Sequence, residues 1–190
     1  MEPHEKLQQP IEKAMSLFWT QGVDNTSYPD LVTATGMSRK ALYSAWPDKT
    51  ALVYDTLDYY RETVLGPILA QLDPPGMAGL EHFWAFMETG IASTDYYGCF
   101  LFRSAGGDLR NDKHVTNALS SHLNLLKSKF SAAFEQAVTD EDLPNDFDIE
   151  LAVWQVVSIL TTISSFGGRK PMSDDIPSLI DAGRKTCGIK

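Results

Sequence analysis

Apolar residues recur at helical spacing along most of the chain, most plainly in its second half. In the segment HVTNALSSHLNLLKSKFSAAFEQAV, Val115, Leu119, Leu123, Leu126, Phe130, Phe134 and Ala137 share one side of a 3.6-residue wheel, with His122 at the edge of that stripe as the alternative to Leu123. This spacing predicts a long amphipathic helix. The run IELAVWQVVSILTTISSF reads differently. Val153, Val156, Val157, Leu160 and Ile163 fill one face, and Ala152, Ile159 and Phe166 widen the apolar arc around the side. A helix apolar over most of its circumference packs on both sides. One side meets the chain's own core; the other calls for a partner chain or, as the alternative, further burial within a monomer. Pro and Gly clusters, LDPPGMAG near residue 75, DEDLPNDFD near 144 and FGGRKPMSDDIP near 170, separate these segments.

The first fifty residues carry shorter elements with strong boundary signals. Asn25, Thr26 and Ser27 can each cap a helix start, Pro29 suits a first turn, and Leu31, Val32 and Ala34 supply a small apolar face. Gly36 fits the left-handed position that ends a helix, and Ser38 caps the next, Arg39 to Ala45. Trp46 precedes Pro47 and is biased out of helical geometry, after which Asp48 opens a further helix. Two short helices joined by a tight turn containing Gly read as a helix-turn-helix. On the second of them Ala41, Leu42 and Ala45 can face inward, which leaves Arg39, Lys40, Tyr43 and Ser44 outward. Those four are donors of the kinds that reach phosphates and base edges. Lys49, in a first helical turn, works against the helix dipole unless an anion such as a DNA phosphate lies nearby. The bland reading is a solvated charged face on a small helical domain.

Residues 11–60 as a whole resemble the DNA-binding domain of the tetracycline-repressor (TetR) family of bacterial regulators. The likeness lies in IEKAMSLFWTQG, an apolar helix ending in an aromatic and a glycine, then TSYPDLVTATG, MSRKALYSAW and the Pro-x-Lys turn of PDKTAL. YYGCFLFRSAGGDL is similar to the start of a sixth helix in one branch of the family. Two positions depart from the pattern. Pro10 stands where the first helix is usually under way, so residues 2–9 are expected to form a frayed arm or separate turn. Trp46 replaces a phenylalanine as a larger core plug. The resemblance implies an all-α homodimer of about nine helices. Residues 1–50 would be a helix-turn-helix domain and residues 51–190 a helical ligand-binding and dimerisation domain. It also implies a DNA-contacting set of Thr26, Ser27, Ser38, Arg39, Lys40, Tyr43, Ser44 and Lys49.

Charge changes the picture. The net charge is −9, yet residues 1–50 carry only −1 of it and the remainder −8. Acid is concentrated away from the proposed reading head, although a DNA module usually shows a basic patch. Cys99 and Cys187 make neither a disulfide framework nor a zinc site, and the four histidines show no ligand spacing. No phosphate loop, nucleophile elbow or His-Glu-x-x-His motif is present, so an enzyme, a metal site and a cofactor are not expected. With no run of eighteen apolar residues and no signal sequence, a soluble cytoplasmic protein without a membrane partner is expected.

The aromatic load of the second half suggests a ligand cavity. Trp84, Met87, Phe100, Arg103, His122 and Trp154 are the candidate lining, with Phe83, Phe86, Tyr96, Tyr97 and Phe102 nearby. A stripe of this kind is more often plain core. Arg103 would meet an anionic or carbonyl-bearing effector, or else pair with Asp108 or Glu88. His122 could equally be a hydrogen-bonded core histidine. Cys99 follows Gly98 at a helix start, where a dipole can lower a thiol pKa, and is either a redox or electrophile sensor or a small buried filler. By resemblance, Ile159, Ile163, Phe166 and Ile180 on the last two long helices would form the dimer interface. The expected function is a one-component regulator. It would be a repressor bound to double-stranded operator DNA and released by a small, largely apolar effector. The alternative is a helical protein-interaction module, or a homologue that has lost DNA binding.

Overall fold

The computed structural model describes residues 3–91, 96–107, 109–167 and 172–189. The described residues hold no strand. They form α1 (Pro3–Gln21), α2 (Tyr28–Thr35), α3 (Arg39–Ala45), α4 (Lys49–Tyr60), a π turn (Arg61–Leu65) and α5 (Gly66–Ala70). There follow α6 (Met77–Ile91), α7 (Phe100–Gly106), α8 (Lys113–Thr139), α9 (Ile149–Phe166), a 3₁₀ turn (Met172–Asp175) and α10 (Ile176–Thr186). Because α4, the π turn and α5 run on without a break, the described residues make nine rods.

The short elements form where the local chemistry requires. Ser27 accepts from the Asp30 N–H while Asp30 takes the Ser27 N–H at 2.8 Å, a reciprocal box that starts α2. Gly36 ends α2 at φ +72°, a conformation that a Cβ disfavours. Ser38 and Asp48 cap α3 and α4 through the N–H groups of Ala41 and Ala51. Trp46 is extended, as its proline neighbour dictates, 4% exposed, and tied through Nε1 to Asp55 at 2.7 Å. The π turn has a cause in Pro67. That residue has no N–H for the Thr63 carbonyl, and its ring would crowd it. The Gly66 N–H reaches back to Arg61 instead, opening the turn by one residue. One expectation is corrected at the N-terminus: residues 3–9 are helical, and α1 runs through Pro10. Leu7 and Ile11, on either side of the proline, pack on the head core and hold the extra turns.

Two apolar cores result. One joins α1–α4 through Phe18, Leu31, Leu42, Trp46, Val53 and Leu57 and crosses residue 50 without a break, taking in Leu65, Phe100, Leu101 and Val115. The other packs α6, the later turns of α8, α9 and α10 around Phe83, Trp84, Phe130, Phe134, Val156 and Ile163. α9 has the length and mean hydropathy (1.5) of a membrane-spanning helix, but its Val153, Val156, Val157, Leu160 and Ile163 are buried in that second core.

Candidate nucleic-acid interface and ligand cavity

On α3 the inward residue is Leu42, 2% exposed, while Arg39, Lys40, Tyr43 and Ser44 all face solvent. Ser38 is exposed as well, although its hydroxyl is engaged as the cap. The outward side chains are not independent. Tyr28, from the first position of α2, stacks on Tyr43 with ring centroids 4.7 Å apart and planes 26° apart. The Arg39 guanidinium carbon lies 5.9 Å from the centroid of each ring. Partial burial and the neighbouring Tyr43 raise the Tyr28 phenol pKa, which keeps it a hydrogen-bond donor. Hydrogen bonds from Ser27 hold the Asp30 carboxyl below its usual range, so the cap of α2 stays anionic in mild acid.

Two members of the expected contact set have other duties. Thr26 is 2% exposed and donates to the Gly22 carbonyl at 2.8 Å, because the chain turns inward there and Ser27, which stays exposed, takes the cap. Lys49 donates from Nζ to the Val23 and Thr26 carbonyls at 2.9 and 3.1 Å. Those dipoles, rather than a phosphate, offset its placement at a helix start. Lys49 is therefore a strut under the α1–α2 loop.

A cavity of about 290 Å³ lies where the two cores meet. Trp19, Tyr60, Leu65, Cys99 and Phe102 wall it from the head side, and Leu69, Phe83, Met87, Leu126, His122 and Leu160 from the body side. The π turn contributes Thr63, Val64 and Leu65. Its polar groups are neutral at physiological pH. Burial, aided by the Arg61 charge, pushes the His122 pKa down to about 4. Burial raises the Cys99 thiol, which the Tyr60 hydroxyl hydrogen-bonds, and also raises Tyr60 and Tyr96. Of the two readings of Cys99, the buried position and raised thiol fit the small filler rather than a dipole-lowered sensor, since desolvation outweighs the start of a seven-residue helix.

Of the six expected lining residues, Met87 and His122 belong to this cavity and the other four lie elsewhere. Trp84 is fully buried in the body core, with its Nε1 directed at the Cys187 sulfur at 3.2 Å. Trp154 is 53% exposed on the outer side of α9 under the Lys127 ammonium. Phe100 and Arg103 line a separate polar cleft of about 450 Å³ with Gln21, Asp24 and Ser104. Arg103 donates from Nη1 to the Trp19 and Tyr97 carbonyls at 2.6 and 3.2 Å, while Glu88 pairs with Arg184; Asp108 lies outside the described residues.

Sequence reasoning passed over Trp19, whose indole N–H donates to the Gly98 carbonyl at 2.8 Å. With the Arg103 bond to its own carbonyl, Trp19 is held at both polar ends by residues 98–103. Gly98 permits this approach. At φ +82° it passes so close to α9 that a Cβ would sit 2.3 Å from the Ser164 carbonyl oxygen. A large aromatic one helical turn from the Gly22 break was the available signal.

Of the expected interface residues, Ile163 and Ile180 are corrected, being buried at 0% and 5% exposure against the chain's own core. Ile159 and Phe166 are half-buried, and the outer side of α9 carries Leu151 and Trp154, each 53% exposed.

Residues 11–55 match the family described as bacterial regulatory proteins, tetR family. Over 115 residues the chain is 30% identical to the HTH-type transcriptional repressor ComR of Escherichia coli (strain K12), a match spanning 58% of this chain and 55% of the relative. The chain thus aligns with about half the length of that curated relative. A TetR-family transcriptional regulator from Cytophaga hutchinsonii superposes with a TM-score of 0.81 at 15% identity, over 100% of this chain and 98% of the other. A cysteine mutant of the TetR-family transcriptional regulator CifR, complexed with 26-bp double-strand operator DNA, superposes with a TM-score of 0.75 at 20% identity over 95% of each chain. At these identities the two superpositions establish the all-α fold of a helix-turn-helix head on a helical body.

Proposed function

We propose that this chain, whose residues 11–55 match the tetR family of bacterial regulatory proteins, is a member of that family and a homodimeric repressor that a small, uncharged, largely apolar effector releases from double-stranded operator DNA. The family is one of regulators and not of enzymes. The observation that carries the reading is the position of the cavity, on the seam between the head core and the body core. Arg39, Lys40, Tyr43 and Ser44 stand exposed on a capped α3, as a helix that enters a major groove requires. An effector in the seam presses on Trp19 and on residues 98–103, which grip α1, and so acts on the tilt of the head. It shifts the equilibrium only by its differential affinity for the two tilts. The lining residues described are uncharged, which favours a neutral effector, with the His122 imidazole as its hydrogen-bonding anchor. On this reading the protein works where its DNA partner is, in the cytoplasm.

The test is fluorescence anisotropy with duplex DNA flanking the chain's own gene, across a salt series. Binding is expected to weaken with salt, and Lys40→Ala is expected to reduce the log–log slope by roughly 2 per dimer, one phosphate contact per head. Lys49→Ala is expected instead to lower the melting temperature of the head, because it frees two loop carbonyls. Binding without salt sensitivity, or none, would hand the reading to a helical protein-interaction module, which the net charge of −1 over residues 1–50 favours.

A further inference from the structure

The exposed side of α3 carries an arrangement that a simple row of donors does not explain. Tyr43 is 42% exposed, an unusual position for a large aromatic, and its ring is covered on one side by Tyr28 from the preceding helix. Arg39 lies four residues before Tyr43, on the same face, with its guanidinium near both rings at once. We infer that Tyr28 is a specificity-determining residue, fixing Arg39 and Tyr43 as one rigid platform so that Arg39 reads a guanine in each operator half-site. This inference rests on the DNA-binding reading above.

The argument is one of orientation. Arginine recognises guanine by a planar, two-pronged contact to O6 and N7 in the major groove, and the fork must lie near the plane of the base. A free surface arginine samples many rotamers and must be ordered on binding, at a cost in affinity. Here two stacked rings, one on each helix of the motif, confine the guanidinium before DNA arrives. Tyr28 is half-buried, so its ring is itself held. A phosphate contact needs no such fixing, since a phosphate presents oxygens over a wide range of angles. Tyr28 is therefore a positioning residue for base reading, and its loss is expected to relax sequence preference more than it weakens binding as such.

The experiment selects binding sites for the full-length protein from a random library of ~30-bp duplexes. It compares wild type with Arg39→Ala, Tyr28→Ala and Tyr28→Phe. The wild-type motif is expected to contain one guanine per half-site whose replacement costs about 5- to 50-fold in affinity. Arg39→Ala and Tyr28→Ala are both expected to reduce that discrimination to under about threefold at the same position, with a larger loss of affinity on the selected duplex than on the unselected one. Tyr28→Phe, which keeps the stack, is expected to keep the discrimination. In the free protein, the Arg39 Nε–H resonance is expected to be displaced from its random-coil position by the two ring currents, and Tyr28→Ala is expected to return it toward that position. The wild-type signal requires no variant to fold and no operator. The inference is overturned if the resonance is unshifted in wild type, if Tyr28→Ala retains the guanine preference, or if it weakens selected and unselected duplexes alike. A wild-type protein that enriches no sequence and binds no duplex overturns it through the DNA-binding reading itself, a result distinct from the other three.

Discussion

His122 illustrates how a residue's role follows from its surroundings rather than its type. It closes the cavity beside Leu126, Phe83 and Leu160, and losing water there disfavours the imidazolium, with the Arg61 charge adding to the effect. Its pKa of about 4 in the folded chain lies below the 6.5 of an unperturbed imidazole. Between those two values the unfolded chain therefore binds a proton that the folded chain does not, and stability falls as pH drops through that window. The contribution is fully present above pH 6.5 and exhausted below about 4. Replacing the ring with an apolar one removes it: melting curves of His122→Phe between pH 7 and pH 4 are expected to lose part of the wild-type slope. A parallel slope in both proteins would mean that His122 is charged in the folded state, and the neutral-effector reading would lose its anchor. Asp30 and Asp112, both held below the usual carboxylate range by hydrogen bonds, begin to lose their contribution only near the acid end of that window, and do so equally in both proteins, so they cancel in the comparison.

At the scale of elements, α2 to α4 were legible because their signals are local, whereas the start of α1 was not, since Leu7 and Ile11 hold it through contacts with the head core. Ser27, Gly36, Ser38, Trp46 before Pro47, and Asp48 each set a boundary through neighbours within four residues. The cavity was not legible in the same way. Its wall comes from α1, α4, the π turn, α5, α6, α7, α8 and α9, and nothing in one helix's period says which other helix it will meet. The same gap misassigned Trp84, an apolar residue on an aromatic-rich helix, which faces α10 rather than the cavity. Gly183 on α10 is the reason. A Cβ there would lie 2.1 Å from the Trp84 ring, so glycine allows the two helices to touch. Helix propensity alone favours Gly183→Ala by about 1 kcal/mol. Yet Trp84 is fully buried and bonded to Cys187, so it has nowhere to move. Overpacking of this kind costs about 1–3 kcal/mol or more, and the balance falls on the destabilising side. Chemical denaturation of Gly183→Ala is expected to show a net loss of about 1–2 kcal/mol, whereas a gain would show that α10 can slide away from α6.

For the whole molecule, charge and symmetry act together. In the proposed complex, the −8 carried outside residues 1–50 repels phosphate, which keeps the body away from DNA and favours a head-first approach. One head offers few cations, and a single short recognition helix binds weakly; two heads joined rigidly gain effective concentration, with major-groove half-sites about 34–36 Å apart. In the proposed dimer that joining falls to the outer side of α9, where Leu151 and Trp154 are each 53% exposed. The wheel of this helix indicated apolar residues nearly all round, but it could not say which side meets the chain's own core. Ile163 proved to be inside, and Leu151 and Trp154, with the edges of Ile159 and Phe166, outside. A tryptophan half in water on an apolar helix is the kind of residue that anchors an interface. Trp154→Lys puts an ammonium at that anchor in both copies, beside the Lys127 ammonium, where burial leaves it unpaired and faces like charge with like. Its dimer dissociation constant is expected to rise by at least about 30-fold. Far-UV circular dichroism is expected to stay unchanged, because the inner side of α9 is untouched. Light scattering across a micromolar dilution series measures this directly, and the same variant is expected to bind a single half-site and a full operator with nearly equal affinity. A wild-type chain that scatters as a monomer at tens of micromolar would remove the two-headed mechanism, while leaving the reading surface of α3 to be tested on its own.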